Sequence, residues 1–345
     1  QFHRVGDFHN LPLLQMIHAD VLRAKQDFEG ARALLFSVRD TDPGIDGLDA
    51  ALLSAFRDDP LFLREPVTIE RGEQIDRITP LGGGSTISLR FHLDGETIAA
   101  YKPNQSRLQT NYRAEIAAYR FCPMIRCGFS IPYSFEARIP RRLFRSLYRL
   151  SSLDPEFLAN HEGYAGNFVD LFWTESEAGT LLHGVWKDWV PSFTQFPIEY
   201  TDIWSDWLSV SGDPGLLEDR FIDVMAGFRD RDRVRYRDLV TEADDITTGA
   251  MARQISNLLA FDFLINNWDR FSGAYPGVNC QFGNGQFVSI DNGAGFMTRR
   301  PTRPRERLQQ ATRFSRSLVT EVRRMDPEAV WPILFPNPTT TEEAM

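Results

Sequence analysis

The sequence predicts an α+β protein, with a small β-rich lobe next to a larger, mainly helical lobe and a cleft between them. Apolar residues follow helical spacing over the first sixty residues and again after residue 246. Between residues 67 and 103 they instead alternate with polar residues or form short runs bounded by glycine and proline. A β-rich block between helical blocks favours the two-lobed arrangement, and a cleft between two lobes commonly binds ligands.

The first half of the chain contains four strong local signals. Residues 13–38 have apolar side chains at helical spacing and predict a helix, and residues 48–56 predict a second, shorter one. LRFHLDGETIAAYKP, residues 89–103, predicts a hairpin with Asp94-Gly95 as its turn. The alanine-rich residues 111–125 predict a helix.

The second half begins with an irregular, aromatic-rich stretch, residues 131–213, in which LLHGVWKDWVPSF predicts a strand. Helices are predicted at residues 216–239, 246–266 and 314–325, and a flexible tail at the end. The predicted division is a helical segment at 1–66, a small lobe at 67–190, a helical lobe at 191–335 and the tail at 336–345.

Composition narrows the classes of partner. A net charge of −9 argues against general binding to nucleic acid or anionic membranes, which require a basic surface. No run approaches the ~20 apolar residues of a transmembrane helix, so no membrane span is expected. The chain starts at Gln1, and removal of an upstream signal segment stays open.

The cysteines and histidines predict neither a disulfide framework nor a zinc site. The sequence has three cysteines, and we expect isolated buried thiols rather than a Cys122–Cys127 pair. Six histidines show no metal-ligand spacing with each other or with cysteine. The low cysteine count is compatible with a cytoplasmic protein.

A glycine-rich loop precedes the predicted hairpin. Gly82, Gly83, Gly84 and Ser85 lead into a strand, and glycines let backbone N–H groups approach phosphate oxygens closely. Kinase-type folds cover the ATP phosphates with such a loop. An ordinary flexible turn is the alternative interpretation.

A lysine and a glutamate follow this loop. Lys102 ends an apolar strand, where a lysine is costly without a partner. Glu115 lies in the next helix, among small apolar residues. A strand lysine paired with a helix glutamate is what kinases require, although a surface lysine and a solvated glutamate would explain the same residues.

Two aspartates lie at the two ends of the segment from Asn266 to Phe296. Asp269 follows an apolar helix, where a carboxylate can accept a proton from a substrate hydroxyl. Asp291 follows the strand-like FVSI and is suited to hold Mg²⁺ or Mn²⁺, with Asn279 as a further oxygen ligand. Capping or turn aspartates are the alternative for each one singly.

Together these residues resemble the secretory-pathway kinases of the Golgi casein kinase and four-jointed type, a divergent branch of the protein-kinase-like fold. The resemblance covers islands between residues 79 and 330. It rests on AEIAAYRF with IRCGFSIPYS, HGVWKDWVP, FDFLINNWDRFSG and VSIDNGAGF.

The resemblance implies a two-lobed protein-kinase-like fold with a nucleotide cleft between the lobes. It makes Lys102 the nucleotide lysine and Asp269 the catalytic base, and it implies a secreted or periplasmic location. It also makes Glu115 both the partner of the lysine and a metal ligand beside Asp291 and Asn279. The hinge near the adenine would include Trp186, Lys187 and Trp189.

The predicted function is ATP-dependent transfer of the γ-phosphate to a hydroxyl of a protein serine or threonine, or of a glycan, with Mg²⁺ or Mn²⁺. A pseudokinase that binds nucleotide without turnover and an adenylyltransferase on the same fold remain alternatives. The tryptophans could stack on sugars or fill a core. The basic residues 299–307 could meet an acidic substrate or form a solvated surface.

Overall fold

The computed structural model describes the chain in segments. They are residues 11–70, 73–81, 86–106, 110–151, 171–177, 179–191, 194–195, 204–209, 215–220, 223, 246–270, 280–283, 285–297 and 302–336. Within them the protein is α+β, as the sequence predicts. The chain forms two compact units, one made of Gln1–Glu65 with Arg324–Met345 and the other of Pro66–Arg323.

The helices and strands are numbered here in chain order. The helices are α1 (Leu11–Ala24), α2 (Phe28–Thr41), α3 (Leu48–Arg57), α4 (Tyr112–Met124), α5 (Arg141–Ser151), α6 (Thr248–Leu264), α7 (Thr302–Leu308), α8 (Arg316–Arg324) and α9 (Pro327–Leu334). The strands are β1 (Val67–Thr68), β2 (Arg77–Pro80), β3 (Leu89–Leu93), β4 (Glu96–Pro103), β5 (Ser134–Pro140), β6 (Trp173–Ser176), β7 (Gly179–Asp188), β8 (Thr194–Gln195), β9 (Cys280–Gly283) and β10 (Gln286–Ser289).

The smaller unit is a helical cluster of α1, α2, α3 and α9. Its core is made of small and aliphatic side chains from the first three helices, among them Ala31, Leu35 and Leu52. The single helix predicted over residues 13–38 is wrong. The helix stops before Gln26, which has a φ of 63°, and Asp27 caps a new helix by accepting a hydrogen bond from Gly30 N at 2.9 Å.

The larger unit contains a sheet with the strand order β1-β5-β7-β4-β3-β2, and β6 pairs with β7. All its pairs are antiparallel except β1 with β5. The predicted hairpin at residues 89–103 is confirmed as β3 and β4, because Asp94 and Gly95 both adopt the positive φ of its turn. The strand predicted around Trp186 is confirmed as β7.

The two faces of this sheet differ in chemistry. On one face Phe91, Tyr101, Phe135 and Trp186 form an apolar core with side chains of α5. Successive residues of a strand point to opposite faces, so Lys102 points away from this core. Helix α4 packs on that second face. The sheet therefore places an ionisable side chain beneath α4.

Gly184 allows β7 and β4 to pack closely. A Cβ atom at this position would lie 2.5 Å from the Tyr101 ring and 2.6 Å from the Lys102 carbonyl oxygen. Tyr101 cannot easily move, because it is fully buried and its hydroxyl donates to Leu182 O at 2.9 Å. We expect Gly184→Ala to lower the free energy of unfolding by about 1–3 kcal/mol, as overpacking does.

Chemical denaturation of the wild type and of Gly184→Ala measures this loss. Gly44→Ala is the matched control, since the nearest atom to its added Cβ would be Asp42 Oδ1 at 3.9 Å. Equal stability of Gly184→Ala and Gly44→Ala would contradict the close packing described here.

The remaining sequence predictions fall on α6, on α8 and on residues outside the described segments. Helix α6 confirms the predicted helix at 246–266 and is buried along most of its length, and α8 confirms the helix predicted near 314–325. Most of the predicted helix at 216–239 lies outside the described residues, as do the glycine-rich loop 82–85, Asn279 and the tail beyond residue 336. A second sheet has the order β10-β9-β8.

The prediction of isolated thiols at Cys122 and Cys127 is wrong. The two residues form a disulfide with a Cα–Cα distance of 5.1 Å, while Cys280 is a buried cysteine that takes no part in a disulfide. Arg126 and Gly128 both have a positive φ, and this turn at the end of α4 brings the two cysteines together. The amphipathic pattern of α4 gives no sign of that turn.

Candidate active site

Lys102 and Glu115 form a buried ion pair. Lys102 Nζ donates to Glu115 Oε1 at 3.1 Å, and the exposed fractions of the two side chains are 7% and 0%. The strand β4 presents the lysine to the face covered by α4. The helix begins at Tyr112, after the cap residue Asn111, whose side chain accepts a hydrogen bond from Arg113 N at 3.0 Å. The pairing predicted from the strand and helix patterns is therefore present.

Glu115 is held by four donors. Its Oε1 accepts from Lys102 Nζ and, at 3.1 Å, from Gly293 N. Its Oε2 accepts from Lys187 Nζ at 2.7 Å and from Asn292 N at 2.9 Å. A carboxylate has about four lone-pair positions, so the hydrogen-bonding capacity of Glu115 is filled without water.

The charges of this cluster stabilise each other. Burial by itself raises the pKa of Glu115, but the neighbouring Lys187 and Lys102 outweigh it and hold that pKa well below its usual range. Burial lowers the pKa of Lys102, but Asp291 and Glu115 outweigh it and raise that pKa above its usual range. Glu115 and Lys102 are therefore both charged at neutral pH.

Asp291 brings the second carboxylate to the same lysine. Its Oδ1 forms an ion pair with Lys102 Nζ, and its side chain is 36% exposed. The residue follows β10 directly and has a φ of 58°, an uncommon conformation for a residue other than glycine. The turn points the carboxylate toward Lys102 while the next two N–H groups bind Glu115.

Backbone pairing fixes β10 relative to α4. Ser130, in the segment between α4 and β5, donates its N–H to Phe287 O at 2.9 Å. Ser289 N donates back to Ser130 O at 2.9 Å. Asn111 N also donates to Gly293 O at 3.2 Å. These bonds keep the Asp291 turn at the helix that carries Glu115.

Arg270 connects the Asp269 segment with the Asp291 turn. The guanidinium is 1% exposed, and its Nε donates to Asp262 Oδ2 of α6 at 2.7 Å. Its Nη2 donates to Ser289 Oγ at 2.7 Å and to Asn292 Oδ1 at 2.6 Å, and its Nη1 donates to Ile290 O at 3.3 Å. One side chain therefore binds both flanks of Asp291 and the helix before Asp269.

Asp269 lies directly beside this arginine. The backbone just before Asp269 is held by Asn267, whose Oδ1 accepts a hydrogen bond from Asp269 N at 3.2 Å. Asn267 is fully buried, whereas Asp269 is half-buried. The two aspartates at the ends of the hairpin thus belong to backbone segments that Arg270 holds together.

Replacing Arg270 by methionine is expected to destabilise the larger unit by about 3–5 kcal/mol, because breaking a buried ion pair leaves the other partner uncompensated. That partner would be Asp262, which is fully buried and whose pKa burial raises to about 6 even beside Arg270. Without Arg270 its carboxyl must either stay charged without a cation or take up a proton. Urea unfolding of the full chain measures the loss. Arg253→Met, at an exposed position of α6, is the control, and equal midpoints for the two variants would refute the role assigned to Arg270.

The residues assigned to the hinge lie in different surroundings. Trp186 points into the apolar core, where its ring lies 5.5 Å from the Phe91 ring and 5.7 Å from the Phe135 ring. Trp189 is half-buried, and its backbone N–H donates to Ile98 O at 3.0 Å. Lys187 lies under α4 on Glu115, a contact that the sequence analysis did not predict.

The scarcity of lysine was the signal that could have revealed Lys187. Lysine and arginine together number 38, and only Lys25, Lys102 and Lys187 are lysines. Two of these three lysines form ion pairs with Glu115. Arg270 was harder to find from the sequence. Its position directly after Asp269 suggests a role in the site, but its partners lie on other elements and are not visible in the local pattern.

The two carboxylates of the cluster differ in how well they suit a divalent metal ion. Asp291 fits, because it is a partly exposed carboxylate at the centre of the cluster. Glu115 would have to give up at least one of its four donors before it could bind a metal. Among the described side chains, no group of three or more histidines, cysteines, aspartates or glutamates is arranged to hold a metal ion.

No described helix has both the length and the apolar character required to cross a membrane.

Comparison with models of known protein families and with the sequences of curated proteins gives no match for this chain.

Proposed function

We propose that the chain is an ATP-dependent kinase with a two-lobed, protein-kinase-like fold, which transfers the γ-phosphate to a hydroxyl of a protein serine or threonine or of a glycan. The convergence of Lys102, Glu115 and Asp291 carries this proposal. A buried lysine held between two carboxylates, one of them partly exposed, suits a site that binds a phosphate chain together with a metal ion.

Each residue of the cluster has a role in this proposal. Lys102 donates to the phosphate oxygens, because its ammonium is charged and strand β4 presents it to the site. Asp291 holds Mg²⁺ or Mn²⁺, which would neutralise charge on the phosphates. Glu115 keeps Lys102 and the turn after Asp291 in register.

Asp269 serves as the catalytic base. A carboxylate next to the phosphate site can orient an acceptor hydroxyl and take its proton. Arg270 supports this role, since it ties the segment of Asp269 to the Asp291 turn. The acceptor and the phosphate-binding group would then face each other within one site.

The fold is compatible with two lobes. The sheet with α4 would form the small lobe, and α6 with the second sheet would form the start of the helical lobe. The glycine-rich loop, the hinge around Trp186 to Trp189 and the Asn279 metal ligand remain parts of the proposal.

Transfer of label from ATP tests the proposed reaction. The full chain is incubated with ATP labelled at the γ-phosphate, or separately at the α-phosphate, with Mg²⁺ or Mn²⁺ and a panel of peptides and glycans. A kinase transfers the γ label and releases ADP. Transfer of the α label would identify an adenylyltransferase, and an ATP-induced rise in melting temperature without transfer would identify a nucleotide-binding pseudokinase; either would refute the proposal.

A further inference from the structure

Lys187 is a second buried lysine on the carboxylate that Lys102 uses. Its Nζ lies 2.7 Å from Glu115 Oε2, closer than Lys102 Nζ lies to Oε1, and its side chain is 9% exposed. Burying an ammonium is costly unless it is paired, so a lysine at this depth requires its partner. The chain has only three lysines, and two of them are buried on Glu115, so Lys187 belongs to the site.

The register of the sheet explains how both lysines reach Glu115. Lys102 on β4 lies opposite Val185 on β7, and Ala100 lies opposite Lys187. Lys102 and Lys187 are thus diagonal neighbours on one face of the sheet, directly beneath α4. Each lysine approaches a different oxygen of the same carboxylate.

The charges in the cluster balance. Two ammonium groups, Lys102 and Lys187, face two carboxylates, Glu115 and Asp291. If Lys102 turned to a phosphate chain and Asp291 to a metal ion, Glu115 would still have Lys187 and two backbone N–H donors. Without Lys187, the same movement of Lys102 would leave a fully buried carboxylate without a cation.

We propose that Lys187 is a positioning residue that permanently neutralises Glu115, so that Lys102 is free to exchange its carboxylate contacts for the phosphates of a bound nucleotide. This inference rests on the proposed ATP-dependent function. It assigns different tasks to the two lysines, although both contact one glutamate. Lys102 is the mobile phosphate ligand, and Lys187 is the fixed counterion.

The electrostatics of Glu115 agree with this assignment. Burial raises the pKa of Glu115, and Lys187 is the stronger of the two lysines that lower it. The groups that contact Glu115 are Lys102 from β4, Lys187 from β7, and the N–H groups of Asn292 and Gly293 from the turn after β10.

Steady-state kinetics of the full chain test the inference with Lys187→Met, Lys187→Arg and the matched control Lys25→Met. We expect Lys187→Met to lower kcat for phosphoryl transfer by about 10–100-fold, as loss of a supporting contact in an active site does. Lys187→Arg should restore most of kcat, and Lys25→Met should match the wild type.

Nuclear magnetic resonance of the wild type tests the same inference without a variant, in case Lys187→Met does not fold. Lysine labelled with ¹³C at the ε carbon gives one signal for each of the three lysines. Adding ATP with Mg²⁺ should shift the Lys102 signal and leave the Lys187 and Lys25 signals in place.

The outcomes separate this inference from the proposed function. A Lys102 signal that responds to ATP, together with wild-type kcat in Lys187→Met, would overturn the role of Lys187 alone. Equal shifts of the Lys102 and Lys187 signals would also overturn it. An absence of both label transfer and ATP-induced shifts in the wild type would refute the proposed function, and with it this inference.

Discussion

Asp269→Asn is expected to lower the rate of phosphoryl transfer by about 10²–10⁴-fold, the range that a positioned acid or base contributes. Asparagine has nearly the same shape but cannot take the proton of an acceptor hydroxyl. The backbone bond from Asp269 N to Asn267 Oδ1 does not involve the replaced group, so we expect the segment to keep its conformation. Initial rates with γ-labelled ATP measure the loss.

The binding of nucleotide should survive this substitution. Lys102, Glu115 and Asp291 are unchanged in the variant, so ATP with Mn²⁺ should raise the melting temperature as in the wild type. Asp20→Asn is the control, since Asp20 is exposed and pairs with Arg23 within one helix. Transfer at more than a tenth of the wild-type rate, about 1.4 kcal/mol in barrier height, would rule out Asp269 as the base.

Asp291→Asn should also abolish most of the transfer, but for a different reason. The substitution removes the negative charge that we assign to the metal ion, and the loss of such preorganised electrostatics costs about 10²–10³-fold or more. Lys102 keeps Glu115 as its partner in this variant, so the protein should remain folded. Rates over a range of Mg²⁺ and Mn²⁺ concentrations measure the effect.

The metal dependence distinguishes the two aspartates. Asp291→Asn should require a higher metal concentration and lose much of the ATP-induced rise in melting temperature, whereas Asp269→Asn should lose neither. Circular dichroism checks that both variants are folded. Unchanged rate and metal dependence in Asp291→Asn would remove the metal site from the proposal.

Local patterns in the sequence were sufficient for several parts of the site. The β3–β4 hairpin was predictable because Asp94-Gly95 suits a turn with positive φ. Helix α6 was predictable from its long apolar run. The pairing of Lys102 with Glu115 was one of two interpretations of the sequence. A lysine ending an apolar strand needs a nearby carboxylate, but a surface lysine and a solvated glutamate would explain the same residues.

Errors arose where a turn interrupts a regular pattern. Hydrophobic periodicity continues through residues 13–38, but Gln26 and the Asp27 cap divide them into two helices. Likewise, the cysteine spacing did not show the turn at Arg126 and Gly128 that joins Cys122 to Cys127. Hydrophobic periodicity shows which face of a helix a residue occupies. It does not reveal a single residue whose backbone adopts the left-handed conformation and interrupts the helix.

Residue order along the chain therefore specified the β3–β4 hairpin and helices α6 and α8, and it made the lysine–glutamate pair one of two interpretations. Tertiary structure alone placed Lys187 and the Asn292 N–H on Glu115, because these partners lie 72 and 177 residues away in sequence. It also placed Arg270 between Asp262 and the Asp291 turn. Contacts of this kind depend on strand order and helix packing, which local propensity does not encode.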